Sequence, residues 1–205
     1  DVAVSGRGAH GALLSAEIDR VVAACHMVTA LQTVVARNLP PSEMGVLSVT
    51  RIDGGDAYNV IPERAKMGGT IRAMKRETLS LLEAGLKRVA AGVAEGLGAK
   101  AEVDYRLIFA PLVNAPEQTA AIADAAAEIV GEANVDRNKP PASASEDFAF
   151  MLEKLPGAYI NLGNGRASAP VHNDRYDFND EAIPFGAAMF ARLVERRLAV
   201  EPDGA

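Results

Sequence analysis

The chain has 205 residues, enough for one large domain or two small ones. A net charge of -6 argues against nucleic-acid binding, which would show a basic face, and no apolar run is long enough to span a membrane. Hydrophobic residues make up 49% of the chain, which supports a buried core and excludes disorder; with 5% aromatics and no Trp, that core has to be aliphatic. A single cysteine, Cys25, leaves no internal disulfide and suits a reducing, cytoplasmic compartment. The chain opens on Asp1-Val2-Ala3-Val4 without Met or a signal peptide, and reads as cut from something longer.

Asp1 to Ser5 reads as the end of a short strand. Gly6-Arg7-Gly8-Ala9-His10-Gly11-Ala12 is a glycine-rich turn. It lacks the Gly-Lys-Ser/Thr ending of a phosphate loop, and its glycines leave His10 projecting from tight backbone. A plain turn with an exposed histidine explains the stretch equally well. Residues 16 to 37 have helical spacing, with Ile18, Val21, Val22, Cys25, Val28, Leu31 and Val35 on one face. Ser15 fits the N-cap and Glu17 the first turn. Cys25 then belongs to the packing stripe, and His26, at its border, has a structural role. Asn38-Leu39-Pro40-Pro41 stops the helix.

Val46 to Asp53 is strand-like, and Gly54-Gly55-Asp56 turns the chain. Tyr58-Asn59-Val60-Ile61-Pro62 follows, with Pro62 marking a loop or edge position. Ala65 to Arg72 is another strand, in which Gly68-Gly69 permits a bulge or a close approach. A second helix runs from Glu77 to Gly96, with Leu79, Leu82, Leu86, Val89, Val93 and Leu97 on its apolar face. Ala101, Val103, Tyr105 and Leu107 alternate with charged residues, as in a half-buried strand. The order over this part is β-α-β-β-α-β, an α+β pattern. It predicts a ferredoxin-like antiparallel sheet covered on one side by two helices, an architecture compatible with many functions.

Pro111 to Pro116 marks a boundary between residues 1–111 and 112–205. Glu117 to Val130 is an Ala-rich helix closed by Gly131. Ser145-Glu146-Asp147-Phe148 reads as an N-cap followed by acids at a helix start. Ala158 to Gly163 reads as a short buried strand. The stretch Pro170 to Glu181 sets His172 in a polar turn with Asn173, Asp174, Asp177, Asn179 and Asp180 around it. A neutral imidazole on a stiff loop is a good metal ligand or proton carrier. A polar loop before a helix, with Asp180 and Glu181 in the cap and first turn, is the plainer alternative. Phe185 to Leu198 closes the chain as a helix. With two short strands, this second part reads as the completion of an α/β sheet begun elsewhere.

The glycine turn with His10, Asn59-Val60-Ile61-Pro62, Gly69-Thr70-Ile71-Arg72, Ser145-Glu146-Asp147-Phe148 and His172 to Asp180 follow one another in a familiar order. By these five motifs the chain resembles the dinuclear metallo-amidohydrolases of the aminoacylase and carboxypeptidase G kind, nearest the hippurate hydrolase and indole-acetyl-amino-acid hydrolase branch. The resemblance implies that residues 1–111 are a lid, or dimerisation, domain and that 112–205 are the C-terminal part of an α/β metallohydrolase catalytic domain. It implies two divalent metal ions, zinc or manganese, cleaving the amide of an N-acyl amino acid, with a homodimer formed through the lid. His172 matches a metal ligand of the family. The other ligands and the general-base glutamate fall in a part of the family absent from this chain, so the chain alone is expected to be inactive and metal-free. His10 matches the lid histidine that stabilises the oxyanion in the partner subunit's site. Asn59 and Arg72 match residues binding the substrate carboxylate, and Glu146 matches the pocket wall; taken locally, Asn59 is a turn residue and Arg72 a solvated charge. Relatives carry a proline and often a second histidine where this chain has Leu14 and Ser15, which leaves substrate choice and the efficiency of His10 open. The competing reading is a non-enzymatic dimerisation or small-ligand regulatory module of ferredoxin-like form.

Overall fold

Four strands form one antiparallel sheet, β1 (Val2–Ser5), β3 (Gly45–Gly54), β5 (Arg64–Ala73) and β6 (Lys100–Val103), in the order β3-β5-β1-β6. β1 is central, with Val2 opposite Met67 on one side and Val103 on the other. Helices α1 (Arg20–Asn38) and α2 (Arg76–Gly96) supply the crossovers. The result is the expected ferredoxin-like β-α-β-β-α-β unit. A second, two-stranded ladder joins β2 (Ala9–His10) to β4 (Val60–Ile61). This computed structural model describes residues 1–6, 9–10, 18–142 and 145–198, with Ala9 and His10 as backbone only. Leu14, Ser15 and Glu17 lie outside the described residues.

Chain contacts divide the protein into two compact units. The first comprises Asp1–Pro111 with Ser143–Ser145, and the second Leu112–Ala142 with Glu146–Ala205. The first unit's core is aliphatic: Val2, Val4, Met27, Leu31, Val34, Met67, Leu82 and several alanines are buried in one cluster. α1 begins later than its periodicity predicts. Asp19 caps it, its carboxylate accepting from the Val22 amide at 3.0 Å. Its buried face is also rotated from the predicted stripe: Ala23, Ala24, Met27, Leu31 and Val34 face inward, while Val22 and Cys25 are exposed. Two alanines on the inner face let the helix axis approach closely, so small residues win over the larger Val22 and Cys25. α2 approaches α1 just as closely, since a Cβ on Gly85 would lie 2.6 Å from Val34 Cγ1.

The pairing of β3 with β5 slips at Thr50, with Val49 opposite Gly69 and Arg51 opposite Gly68. Gly69 is required there, because a Cβ would come within 2.1 Å of the Ser48 carbonyl oxygen. β6 stops at Val103, short of the predicted Leu107, although the Asp104 amide still donates to the Asp1 carbonyl at 2.9 Å. Tyr105 still packs against the core.

In the second unit, α3 (Pro116–Val130) packs on α5 (Ile183–Arg197), with Ile122, Ala125 and Met189 buried. Arg192 and Arg196 of α5 reach Glu128 of α3, and Arg137 reaches Asp124 at 2.8 Å and Glu132 at 2.7 Å. Residues 158–163 form no strand. Among the described residues no strand of the second unit takes their hydrogen bonds, and at Tyr159 a side chain does: Asn114 Nδ2 donates to the Tyr159 carbonyl and Asn114 Oδ1 accepts from the Tyr159 amide, both at 2.8 Å. Leu162, predicted inside, is 52% exposed. Among the described residues no helix is long and apolar enough to cross a membrane.

Candidate active-site residues

The β1–β5 pairing ends with Ser5 opposite Arg64, and Gly6 still donates its amide to the Glu63 carbonyl at 3.3 Å. Beyond that point the same two chain segments continue as the β2–β4 ladder, which sets His10 opposite Val60. Asn59 immediately precedes Val60 in an exposed turn. His10 and Asn59, 49 positions apart in sequence, are therefore neighbours on one two-stranded arm. Backbone pairing does this, and no local spacing foretells it.

Arg72 stands at the other end of β5, opposite Val46. From Arg64 to Arg72 the strand advances roughly 26 Å at the usual rise per residue, and Asn59 lies beyond Arg64. One chain therefore does not bring Asn59 and Arg72 to a common ligand. Arg72 Nη1 donates to Ser145 Oγ at 2.6 Å within the first unit. Ser145 thus does not cap a helix. The short helix α4 (Phe148–Leu152) has Asp147 at its N-cap, with no side-chain cap bond.

Glu146 belongs to the second unit and is half-buried. Its carboxylate lies near the Tyr159 hydroxyl. Burial first, and then the negative charge of Glu146, holds that hydroxyl above its usual pKa. The Tyr159 ring also packs on Phe148, with centroids 5.9 Å apart. Tyr159, beside Glu146, is itself held by the clamp from Asn114 to its backbone.

His172 is exposed and has a φ of 65°, the one positive φ outside glycine among the described residues. Left-handed backbone is strained for a side chain of this kind and concentrates at functional positions. The turn after it is held by Asn173, whose carbonyl accepts from the Tyr176 amide at 3.0 Å and whose Oδ1 accepts from the Arg175 amide at 2.9 Å. The loop's far end is pinned by Asn164. Its Nδ2 donates to Ser168 Oγ at 2.8 Å and to the Asp177 carbonyl at 2.7 Å, and its Oδ1 accepts from the Asn179 amide at 2.7 Å. Asn179 Oδ1 in turn accepts from the Glu181 amide, starting the 3₁₀ turn Asp180–Ala182 that leads into α5. Motif reading passed over Asn164. The signal available was an amide side chain between two glycines, Gly163 and Gly165, a setting that favours side-chain-to-backbone bonding.

Among the described residues, no group of three or more His, Cys, Asp or Glu gathers closely enough to hold a metal ion. The described residues do not by themselves compose a dinuclear centre, and His172 is a single donor among them.

The chain belongs to Peptidase family M20/M25/M40, whose profile matches residues 6–196. One relative is the N-acetylcysteine deacetylase of Bacillus subtilis, 32% identical over 193 residues, covering 94% of this chain and 50% of that protein. Another is the hippurate hydrolase of Campylobacter jejuni, 32% identical over 197 residues, covering 96% of this chain and 51% of that protein. Among solved structures, the Bacillus subtilis YXEP protein, a dinuclear metal-binding peptidase from the M20 family, superposes with a TM-score of 0.75 at 28% identity, over 98% of this chain and 49% of that one. The chain spans about half the length of the curated relatives it matches.

Proposed function

We propose that this chain is the lid and C-terminal catalytic portion of a metal-dependent amidohydrolase that cleaves N-acyl amino acids. The first unit is the lid and the second is part of the catalytic layer. Leu162, Val171, Phe178, Phe185 and Phe190 of the second unit are exposed, as befits a segment that packs against more of the same domain. His172 contributes one imidazole to a metal centre whose other donors lie in the half of the relatives' length that this chain does not span.

The observation that carries the reading is the separation along β5. His10 and Asn59 sit on the arm at one end, and Arg72, with Ser145, at the other. A single substrate needs an oxyanion donor close to its amide and a guanidinium on its carboxylate, a few ångströms apart. One protomer cannot supply both, so a complete site takes His10 and Asn59 from one protomer and Arg72 from its partner. The lid is then the dimerisation domain. Within such a site the His10 imidazole donates a hydrogen bond to the carbonyl oxygen as it gains charge. Arg72 presents a planar fork to the carboxylate, and Ser145 holds that fork in place.

The test uses the full-length polypeptide. His10→Ala is expected to lower kcat by about 10²–10³, with KM moving much less, because the contact strengthens in the transition state. Mixing inactive His10→Ala with inactive Arg72→Met protomers is expected to restore activity, since a mixed dimer holds one site with both wild-type residues. Mixed dimers as inactive as either parent would refute the shared site.

A further inference from the structure

We propose that Arg20 is a buried carboxylate receptor at the start of α1. Its side chain is fully buried, the largest in the first unit to be so, and among the described residues its Nε, Nη1 and Nη2 all lack a hydrogen-bond partner. Among the described residues Thr78 is the other buried polar side chain, and its hydroxyl donates to Glu43 at 3.1 Å. Buried polar groups in native proteins are almost always paired, and an uncompensated buried cation costs more than a marginally stable fold tolerates. The orphaned guanidinium therefore points to an anion.

Its surroundings are built for one. A Cβ on Gly6 would lie 2.6 Å from Nε and 2.7 Å from Nη2, so the bare glycine backbone makes the room that the guanidinium occupies. Arg20 is also the first residue of a 19-residue helix, whose N-terminal amides favour negative charge. The Asp19 carboxylate is engaged in capping Val22. A planar fork of nitrogens matches the two oxygens of a carboxylate. A monoanion cancels the single positive charge, whereas a dianion such as phosphate leaves a net charge buried. The carboxylate has two sources. One is Glu17, the single acid among residues 7–17, and the other is a small free carboxylate from solution. In either case the ion pair fastens Gly6, four residues before His10. This proposal does not depend on the hydrolase reading.

The test is a thermal-unfolding titration of the 205-residue chain with sodium acetate, against sodium chloride at equal ionic strength, on the unmutated chain, Glu17→Gln and Arg20→Met. With a free carboxylate, acetate raises the Tm of the unmutated chain and of Glu17→Gln by several degrees and saturates, while Arg20→Met does not respond. With Glu17 as the source, the unmutated chain ignores acetate, Glu17→Gln loses several degrees and acetate restores them, and adding Arg20→Met abolishes the rescue. ¹⁵N-arginine labelling gives the same reading without Arg20→Met, because the Arg20 Nε–H resonance moves with acetate in the unmutated chain or in Glu17→Gln. Indifference to acetate in both of those chains, or an equal response in Arg20→Met, overturns the proposal.

Discussion

Replacing Asn164 by Ala is expected to release the His172 loop while leaving the rest of the second unit folded. The Asn164 side chain makes three hydrogen bonds, to Ser168, Asp177 and Asn179, two of them to backbone. At a net of about 1 kcal/mol each, their loss totals about 3 kcal/mol. Asn164 and Asn179 are only half-buried, so water takes over part of the lost bonding, which brings the figure to about 2–3 kcal/mol. The effect falls on local opening rather than on global unfolding, because Ile122, Ala125 and Met189 hold α3 and α5 together without the loop. Amide hydrogen exchange reads it directly: protection at the Asn179 amide is expected to fall by roughly 30- to 150-fold, with α3 amides unchanged. Asn164→Asp keeps the acceptor for the Asn179 amide, loses both donors and sets a carboxylate against the Asp177 carbonyl, so it should not rescue. If exchange at Asn179 changes by less than about threefold in Asn164→Ala, the clamp does not hold the loop and the reasoning fails.

Gly69→Ala should destabilise the first unit by at least about 1–3 kcal/mol, since its Cβ meets backbone, whereas Gly92→Ala, in open space on α2, should stabilise it by about 0.5–1 kcal/mol; equal denaturation midpoints for the two variants would contradict the packing at the bulge. The ammonium of Lys75, donating at 2.7 Å, and then the Thr78 hydroxyl hold the Glu43 carboxyl below its usual pKa. A lowered carboxylate stabilises the fold above its unfolded pKa and loses that contribution as pH falls through the folded value, so the advantage of the unmutated chain over Glu43→Gln should be full at pH 7 and shrink as the solution is acidified below the usual carboxylate range; a pH-independent difference would argue against the pair. In the full-length polypeptide, His172→Ala should lower bound metal as well as rate, while His26→Ala, on the exposed face of α1, should lower neither; unchanged metal content in His172→Ala would remove His172 from the centre. The 205-residue chain alone should not hydrolyse N-acyl amino acids with added zinc or manganese, and metal-dependent turnover by it would overturn the assignment of the missing ligands.

Element order was legible from the sequence because hydrophobic periodicity and helix stop signals are local. The two amphipathic helices, the glycine pair in β5 and the closing glycine Gly131 all act within a few residues of where they stand. The ferredoxin-like sheet followed from that order, since two helices with one apolar face each leave few ways to cover four short strands. The five motifs also carried the family, for their order along the chain is itself a sequence property. Tertiary structure decided what depends on a partner distant in sequence. The buried face of α1 was set by how closely alanines let it approach the sheet, so Cys25 was misplaced on the inner stripe. Residues 158–163 had the composition of a strand but, among the described residues, no strand beside them in their unit, and a side chain, Asn114, took the Tyr159 backbone bonds instead. Ser145 had the look of a cap until Arg72, 73 positions away, claimed its hydroxyl. Pairing of β2 with β4 placed His10 beside Asn59, and the length of β5 held Arg72 away from both. Hydrogen bonds and close packing are satisfied between whichever groups the fold brings within about 3 Å, and sequence separation carries no record of that distance.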